Sequence, residues 1–208
     1  MIPVNVLAVR YLANAPTVAG ALGAPQDSPC LGLITTDCDD ATYIALDEAT
    51  KAAEVSVCFG RSFYGGAANA STPYAGEVIG ILSGPTPGAV RSGMEAVLST
   101  LTQVGFETVG QVPYLAYTVA SCGSFLSEEA GVPLGTAIAY LIAPPLESIY
   151  ALDGALKAAD VKLCKLYEPP SPTNFAGALL SGTQAACQAA CAAFADGVAE
   201  VAVRPIES

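Results

Sequence analysis

The sequence predicts a mixed α/β (α+β) fold made of two tandem copies of one unit, each a mainly antiparallel sheet packed with helices. The first observation is a repeat: the stretch 39–58 recurs without gaps in 146–164. The second is that each copy passes from a helical apolar stripe directly into a short β-type run. Pairs of identical residues at one constant offset are Ala45/Ala151, Leu46/Leu152, Asp47/Asp153, Lys51/Lys157, Val55/Val161 and Cys58/Cys164.

Both copies carry the signals of an amphipathic helix followed by a strand. The apolar stripes consist of Thr42, Leu46, Ala49 and Ala53 in the first copy and of Ile149, Leu152, Leu156 and Ala159 in the second. The runs that follow, Glu54–Phe59 and Asp160–Lys165, alternate apolar with polar residues. Each half is therefore predicted to be a helix on a sheet, and we place the two domains at residues 1–107 and 108–208.

The other elements follow one order in both halves: strand, helical excursion, strand, helix, strand, loop, strand, helix. In the first half we predict strands at 4–12, 31–35 and 75–82, helices at 16–22 and from Pro87 to Leu101, and a long loop at 61–74. In the second half we predict strands at 114–120, 136–142 and 175–182, a helical excursion within 121–133, and a final helix capped by Thr183 and Gln184. The segment 102–113 is predicted to be a boundary or a flexible insertion.

Composition excludes several classes of protein. The net charge of −11 disfavours nucleic acid as a partner. No apolar run is long enough to predict a transmembrane helix, and the first residues lack a basic signal-peptide region, so we expect a cytoplasmic protein without a membrane partner. Only 13% of the residues are charged while 52% are apolar. Two explanations stay open: a surface covered by neighbouring copies, or a core of small residues with closely packed helices.

The seven cysteines, an odd number in a chain of 208 residues, indicate reduced thiols. Cys187 and Cys191 lie one helical turn apart, a spacing that metal sites also use, but the chain contains no histidine to complete a mixed ligand set. They continue an apolar stripe with Ala190 and Phe194. We therefore expect both cysteines in the core, and neither a metal site nor a required cofactor.

Acidic residues cluster where the second strand meets the repeated helix. Asp37, Asp39 and Asp40 fall within four positions, and helix capping accounts for one or two of them. Glu77 is a further acid inside a predicted strand. These four could hold a hard cation, although the loop lacks EF-hand spacing. Without histidine, Ser-His-Asp and Cys-His catalysis are impossible, and no phosphate-binding glycine motif is present, so we expect no enzyme.

Several motifs together resemble the EutL-type tandem-domain shell proteins of ethanolamine-utilisation microcompartments. They are the segments 31–34, 39–43, 46–51, 75–78, 143–147 and 181–187. The resemblance implies two circularly permuted bacterial microcompartment (BMC) domains per chain and a pseudohexameric homotrimer. It also implies tiles packed beside other shell proteins around encapsulated enzymes, and passage of metabolites rather than catalysis.

The resemblance further implies a gated central pore and small acidic pores within each subunit that admit a small cation such as ethanolamine. The matching positions are Asp39, Asp40, Glu77, Phe106, Glu147 and Thr173. Carboxylates around a narrow passage attract an ammonium group and repel anions, which gives this assignment a physical reason. Capping of the repeated helix is an alternative role for Glu147, and core packing is one for Phe106. Two other functions stay open: a module that binds an amino alcohol or cobalamin, and a shell protein for a related amine.

Overall fold

The computed structural model describes residues 1–63 and 78–206 of the chain. Its strands are β1 Val6–Leu12, β2 Cys30–Thr36, β3 Ser56–Ser62, β4 Val78–Gly84, β5 Glu107–Val109, β6 Val112–Val119, β7 Ala137–Ala143, β8 Val161–Tyr167 and β9 Ala176–Gly182. Its helices are α1 Pro16–Ala21, α2 Asp39–Ala52, α3 Pro87–Leu101, α4 Ser124–Ala130, α5 Pro145–Ala158 and α6 Gln184–Val203.

The chain divides into two compact units. The first unit comprises Pro3–Gly105 with Gly123–Leu126, and the second comprises Met1–Ile2, Phe106–Cys122 and the chain from Ser127 onward. The first holds a four-stranded sheet in the order β1-β2-β4-β3, and the second holds a five-stranded sheet in the order β5-β6-β7-β9-β8. Every recorded strand pair is antiparallel. The predicted tandem fold is therefore confirmed.

The repeat extends from sequence into strand pairing. In both sheets the strand after the repeated helix forms an edge, and its register shifts at the same repeat position, between Val57 and Phe59 in β3 and between Leu163 and Lys165 in β8. A β-bulge at a matched position is a specific feature of backbone geometry. The second sheet differs from the first by the additional short strand β5.

Two segments differ from the sequence prediction. Arg61 and Ser62, assigned to a long loop, continue β3, because both pair with β4. The predicted insertion 102–113 contains β5, which pairs with the start of β6 around Gly110, a residue with φ +59°. Glycine adopts this left-handed conformation without the penalty of a Cβ atom, so the short segment can reverse as a hairpin. Residues 64–77, which include the rest of the predicted loop and the start of the predicted strand 75–82, lie outside the described part of the chain.

Small residues make up much of the core of the second unit. Its buried cluster joins β7, β9, α5 and α6 and contains Ala139, Leu141, Ala151, Ala155, Leu180, Cys187, Ala190, Cys191, Phe194 and Val198. The prediction that Cys187 and Cys191 are core residues is confirmed. Alanine and glycine let α5 and α6 pack closely, and Gly197 would bring an added Cβ atom within 2.9 Å of Ala151.

Helix α6 meets the length and composition criterion for a membrane span, which the sequence analysis did not anticipate. Within the described ranges it is the one helix that is long and apolar enough to cross a membrane by length and composition alone. Its apolar stripe, which includes Ala190, Phe194 and Val198, is buried in the core of the second unit. Alanine and valine at the remaining positions raise its hydropathy, and a packed core helix can satisfy the same criterion.

Candidate functional site

The predicted acidic residues of the first unit lie at the start of α2. Asp39 and Asp40 occupy the first turn of this helix, and both are buried. The Asp40 N–H donates to Asp39 Oδ1 at 2.9 Å. The preceding N-cap residue, Cys38, has an extended backbone and makes no side-chain capping bond. The positive end of the helix dipole favours negative charge at this position, so the local fold stabilises two adjacent carboxylates.

Asp37 has a different role from its two neighbours. Its Oδ1 accepts the Asn5 backbone N–H at 2.8 Å, and its Oδ2 accepts from Asn5 Nδ2 at 2.6 Å. Both carboxylate oxygens therefore fix the chain just before β1. The structure assigns Asp37 to a loop contact, and leaves Asp39 and Asp40 as the acids of the helix start.

The Cys38 thiol between these acids is unsuited to act as a nucleophile. Burial raises the pKa of Cys38 far above its ordinary value, and the charges of Asp40, Asp39 and Asp37 raise it further against a hydrogen bond with the Ala41 backbone. The reactive form of cysteine is the thiolate. Cys38 therefore remains a neutral thiol.

Phe106 and Thr173, both predicted site residues, lie near one loop of the second unit. The Phe106 ring packs against the Phe175 ring with 5.5 Å between centroids. The buried Thr173 places its Oγ1 3.3 Å from Ser171 Oγ. Ser171 Oγ also accepts the Phe175 N–H at 3.2 Å. The loop 171–175 thus connects both predicted residues, although they are far apart in sequence.

Ser171 and Phe175 are the residues of this loop that sequence reasoning missed. Ser171 N–H donates to Phe175 O at 2.8 Å, and Asn174 N–H donates to Ser171 O at 2.9 Å, which closes a tight turn. Asn174 has φ +67°, a left-handed conformation that asparagine tolerates better than most residues. The proline-rich run 169–172 signals a turn, but no local pattern reveals that it approaches Phe106.

Glu147 lies in the first turn of α5, and its side chain is half-buried. The N-cap of that helix is Pro144, and no side-chain capping bond is present there. Glu147 therefore makes no capping hydrogen bond, contrary to the alternative role predicted for it, although an acid in the first turn still interacts favourably with the helix dipole. Glu77 lies outside the described residues. Within the described ranges, no three His, Cys, Asp or Glu side chains come together as a possible metal site.

Comparison with known proteins first defines the class. The BMC domain family matches residues 30–113. The bacterial microcompartment shell protein EutL of Clostridium perfringens is 56% identical over 207 residues, covering 97% of this chain and 95% of the relative. EutL of Escherichia coli is 47% identical, covering 98% and 95%. The crystal structure of ethanolamine utilization protein EutL from Leptotrichia buccalis superposes with a TM-score of 0.96 at 53% identity, covering 100% of this chain and 98% of that one.

The fold is thus that of a microcompartment shell protein with tandem BMC domains. In particular, the chain belongs to the EutL family, and it is a structural component of the shell of an ethanolamine-utilisation microcompartment inside the bacterial cytoplasm. Identity over nearly the whole length of both chains carries this conclusion. The resemblance inferred from the sequence motifs is confirmed.

Proposed function

We propose that three copies of this chain close into a pseudohexameric tile of the shell and that the tile passes small cationic metabolites, such as ethanolamine. Each chain carries two similar units, so three chains can arrange six units around one axis. Such a tile would meet copies of itself and other shell proteins at its edges, with the encapsulated enzymes on one side. The proposed role is structural and selective, without catalysis or a required cofactor.

The observation that carries the transport part is the pair of buried carboxylates at the start of α2. Asp39 and Asp40 are adjacent, each is mostly shielded from solvent, and the chain has a net charge of −11. Acidic groups in a narrow, partly desolvated passage attract an ammonium ion and exclude anions of similar size. We propose that they line a small pore, together with Glu77, Phe106, Glu147 and Thr173.

The remaining members of the proposed lining have complementary chemistry. The ring of Phe106 can contact the methylene groups or the charge of an amino alcohol, the second through a cation–π interaction. The Thr173 hydroxyl can donate to or accept from the alcohol oxygen. Ethanolamine carries one ammonium and one hydroxyl group, so it matches a site that offers carboxylate, aromatic and hydroxyl groups. A related small amine would satisfy the same groups.

Calorimetric titration of the purified full chain with ethanolamine tests the lining. We expect Asp39→Asn and Glu77→Gln each to abolish measurable binding, because each removes a charge that attracts the ammonium. Asp196→Asn, which removes one charge from an exposed position of α6, is the matched control and should bind as the parent does. Unchanged affinity in the Asp39 and Glu77 variants would reject these assignments.

Native mass spectrometry tests the tile separately. A trimer that associates laterally into sheets supports it, whereas a monomer at all concentrations would overturn it. Cobalamin binding stays a prediction from the resemblance, and titration of the protein with cobalamin, followed by its visible absorbance, would test it.

A further inference from the structure

The start of α4 covers one face of the first unit. The Asp47 carboxylate, fully buried on α2, accepts the Gly123 N–H at Oδ2 (2.6 Å) and the Leu126 N–H at Oδ1 (2.8 Å). Thr50 Oγ1 accepts the Ser124 N–H at 3.0 Å. The segment 123–126 thus lies on α2, and its backbone donors are satisfied by two α2 side chains.

The contact between the segment 123–126 and the face formed by α2 and β3, called the joint below, also contains an aromatic side chain. The Phe125 ring lies 5.8 Å from the Tyr43 ring, measured between centroids. Phe125 also occupies the space above Gly60 of β3, since a Cβ atom added at Gly60 would lie 3.6 Å from its ring and 3.3 Å from Tyr43. A small residue on the sheet therefore receives a large residue of the covering segment.

The same face exists in the second unit, and there it is exposed. The repeat offset and the matched bulges of β3 and β8 align Tyr43 with Ile149, Asp47 with Asp153 and Gly60 with Leu166. Ile149 is 46% exposed and Leu166 is 40% exposed. The Asp153 side chain is also exposed and forms a surface ion pair with Lys157. An apolar face that is covered in one repeat is thus open in the other.

The counterpart of the covering segment is the start of α1. Both short helices end in the same way: Ala24 N–H donates to Ala19 O and Val132 N–H to Ser127 O, each at 3.0 Å. The adjoining residues Gly23 and Gly131 both have positive φ. This alignment pairs Pro16 with Ser124, Thr17 with Phe125 and Val18 with Leu126. Val18 is 49% exposed, whereas Leu126 is 1% exposed, so the counterpart segment is also uncovered.

Two residues that meet in the covered contact differ in size from their counterparts in the uncovered copy, and the two differences compensate each other. In the covered joint, Gly60 on the sheet meets the large Phe125 on the segment. In the uncovered pair the sizes are reversed, because the sheet carries Leu166 and the segment carries Thr17. The total volume that two such surfaces would have to pack is therefore similar.

The two copies also differ in hydrogen-bonding groups, and the donor and the acceptor differ as a pair. Thr50 accepts a backbone N–H from Ser124, whereas its counterpart Leu156 has no acceptor and the counterpart of Ser124, Pro16, has no N–H. Donor and acceptor of this hydrogen bond are thus lost as a pair, so neither Leu156 nor Pro16 would leave an unsatisfied group at this position if the two uncovered surfaces meet.

From this reciprocity we infer that the open face of the second unit, marked by Ile149 and Leu166, binds the start of α1 from a second copy of this chain. The inference rests on the proposed tile and names its joint. Each copy offers one open face and one uncovered segment, so the contact is head to tail and can close into a ring. The same residues also make the contact specific. If the start of α4 bound the open face instead, Phe125 would meet the large Leu166, and the Ser124 N–H would meet Leu156, which has no acceptor.

Size exchange gives a direct test on the full chain. Thr17→Phe places a ring against Leu166, and we expect it to raise the dissociation constant of the assembly at least about tenfold. Adding Leu166→Ala provides room for the ring and should return the constant to within about threefold of the parent. Val203→Phe, at an exposed position of α6, is the control and should assemble normally. Analytical ultracentrifugation over a concentration series measures all four proteins.

A second variant keeps the test valid if Thr17→Phe does not fold. Ile149→Glu puts a charge on the open face and should dissociate the assembly, whereas Ile206→Glu, at another exposed apolar position of the second unit, should not. If the parent assembles and neither Thr17→Phe nor Ile149→Glu weakens it, or if Leu166→Ala gives no rescue, the inferred joint is wrong and the tile stands. A parent protein that is monomeric throughout would overturn the tile itself.

Discussion

Asp47 and Asp153 occupy the same position of two repeated helices, yet Asp47 is fully buried while the side chain of Asp153 is 65% exposed. Asp47 accepts two backbone N–H groups from 123–126, and Asp153 pairs with Lys157 at 2.5 Å on the surface. Burial raises the pKa of the Asp47 carboxyl, and these two hydrogen bonds oppose the shift only in part. One sequence motif thus serves two electrostatic environments.

This difference predicts a pH-dependent contribution of Asp47 to stability. Because its pKa is higher in the folded than in the unfolded chain, the folded state holds the proton more tightly. Stability from this group is therefore greatest below the unfolded pKa and decreases as the pH rises through the folded one. Urea unfolding between about pH 4 and pH 8 measures the unfolding free energies of the parent and of Asp47→Asn. The value of the parent minus that of the variant should fall as the pH rises and then level off.

The matched control for that experiment is Asp196→Asn, at an exposed position of α6. Because this side chain is exposed, the variant shows the effect of removing one negative charge without removing a buried carboxyl. A difference for Asp47→Asn that grows with rising pH would contradict the direction of the shift.

Gly123 is expected to tolerate no side chain. A Cβ atom there would lie 2.2 Å from Thr50 Oγ1 and 2.6 Å from the Asp47 carbonyl oxygen, and the backbone carbonyl cannot move aside cheaply. We expect Gly123→Ala to lower the unfolding free energy by about 2 kcal/mol or more. Gly154→Ala meets no atom within 4 Å in the interior of α5 and should instead stabilise by about 0.5–1 kcal/mol. Thermal unfolding followed by circular dichroism compares the two.

Thr42 and Ser148 are repeat counterparts with different hydrogen bonding. Thr42 Oγ1 lies 2.7 Å from Thr36 Oγ1 and donates to Cys38 O at 2.8 Å, whereas the buried Ser148 hydroxyl has no partner in the described part of the chain. Removing an unsatisfied buried hydroxyl costs little, whereas breaking a satisfied pair leaves Thr36 with one partner fewer. We expect Thr42→Ala to cost about 1–2 kcal/mol and Ser148→Ala to be neutral or stabilising. Chemical denaturation of both variants checks this, and equal losses would contradict it.

The core cysteines should resist alkylation in the folded protein. Burial raises the pKa of Cys191 to about 11, and it also raises that of Cys187. At about pH 8 few of these thiols are ionised, and both side chains are buried in the core of the second unit. Iodoacetamide followed by peptide mass spectrometry should leave both unmodified until urea is added, whereas the half-buried Cys164 should react in the folded state. Equal labelling of all three would contradict the burial of Cys187 and Cys191 in the core of the second unit.

Much of the fold could be predicted because its evidence is local or repeated. The stripes of α2 and α5 and the strands after them occur twice in the sequence, and the structure confirms them. The N-cap of the last helix was predicted in the same way, and Thr183 accepts the Ala186 N–H at 3.1 Å; the matching cap, in which Thr86 accepts the Ala89 N–H, was not predicted. The strand β5 was missed because three residues give too short a pattern.

The candidate site could be predicted only in part. Asp39 and Asp40 were readable as acids at a helix start, because dipole and capping preferences depend on near neighbours. That Asn5 holds Asp37 was not readable, because the contact joins residues far apart in the chain. The same reason hid the packing of Phe175 on Phe106.

By itself the sequence determined the duplication, the mixed fold and the membership of the EutL family, because identity and periodicity are properties of the linear chain. Tertiary structure decided which copy of a repeated residue is buried. Asp47 and Asp153 have nearly the same local sequence, but only the first lies under the segment 123–126. Burial depends on which segments, distant in sequence, pack against a surface. The repeat motif alone contains no information about those segments.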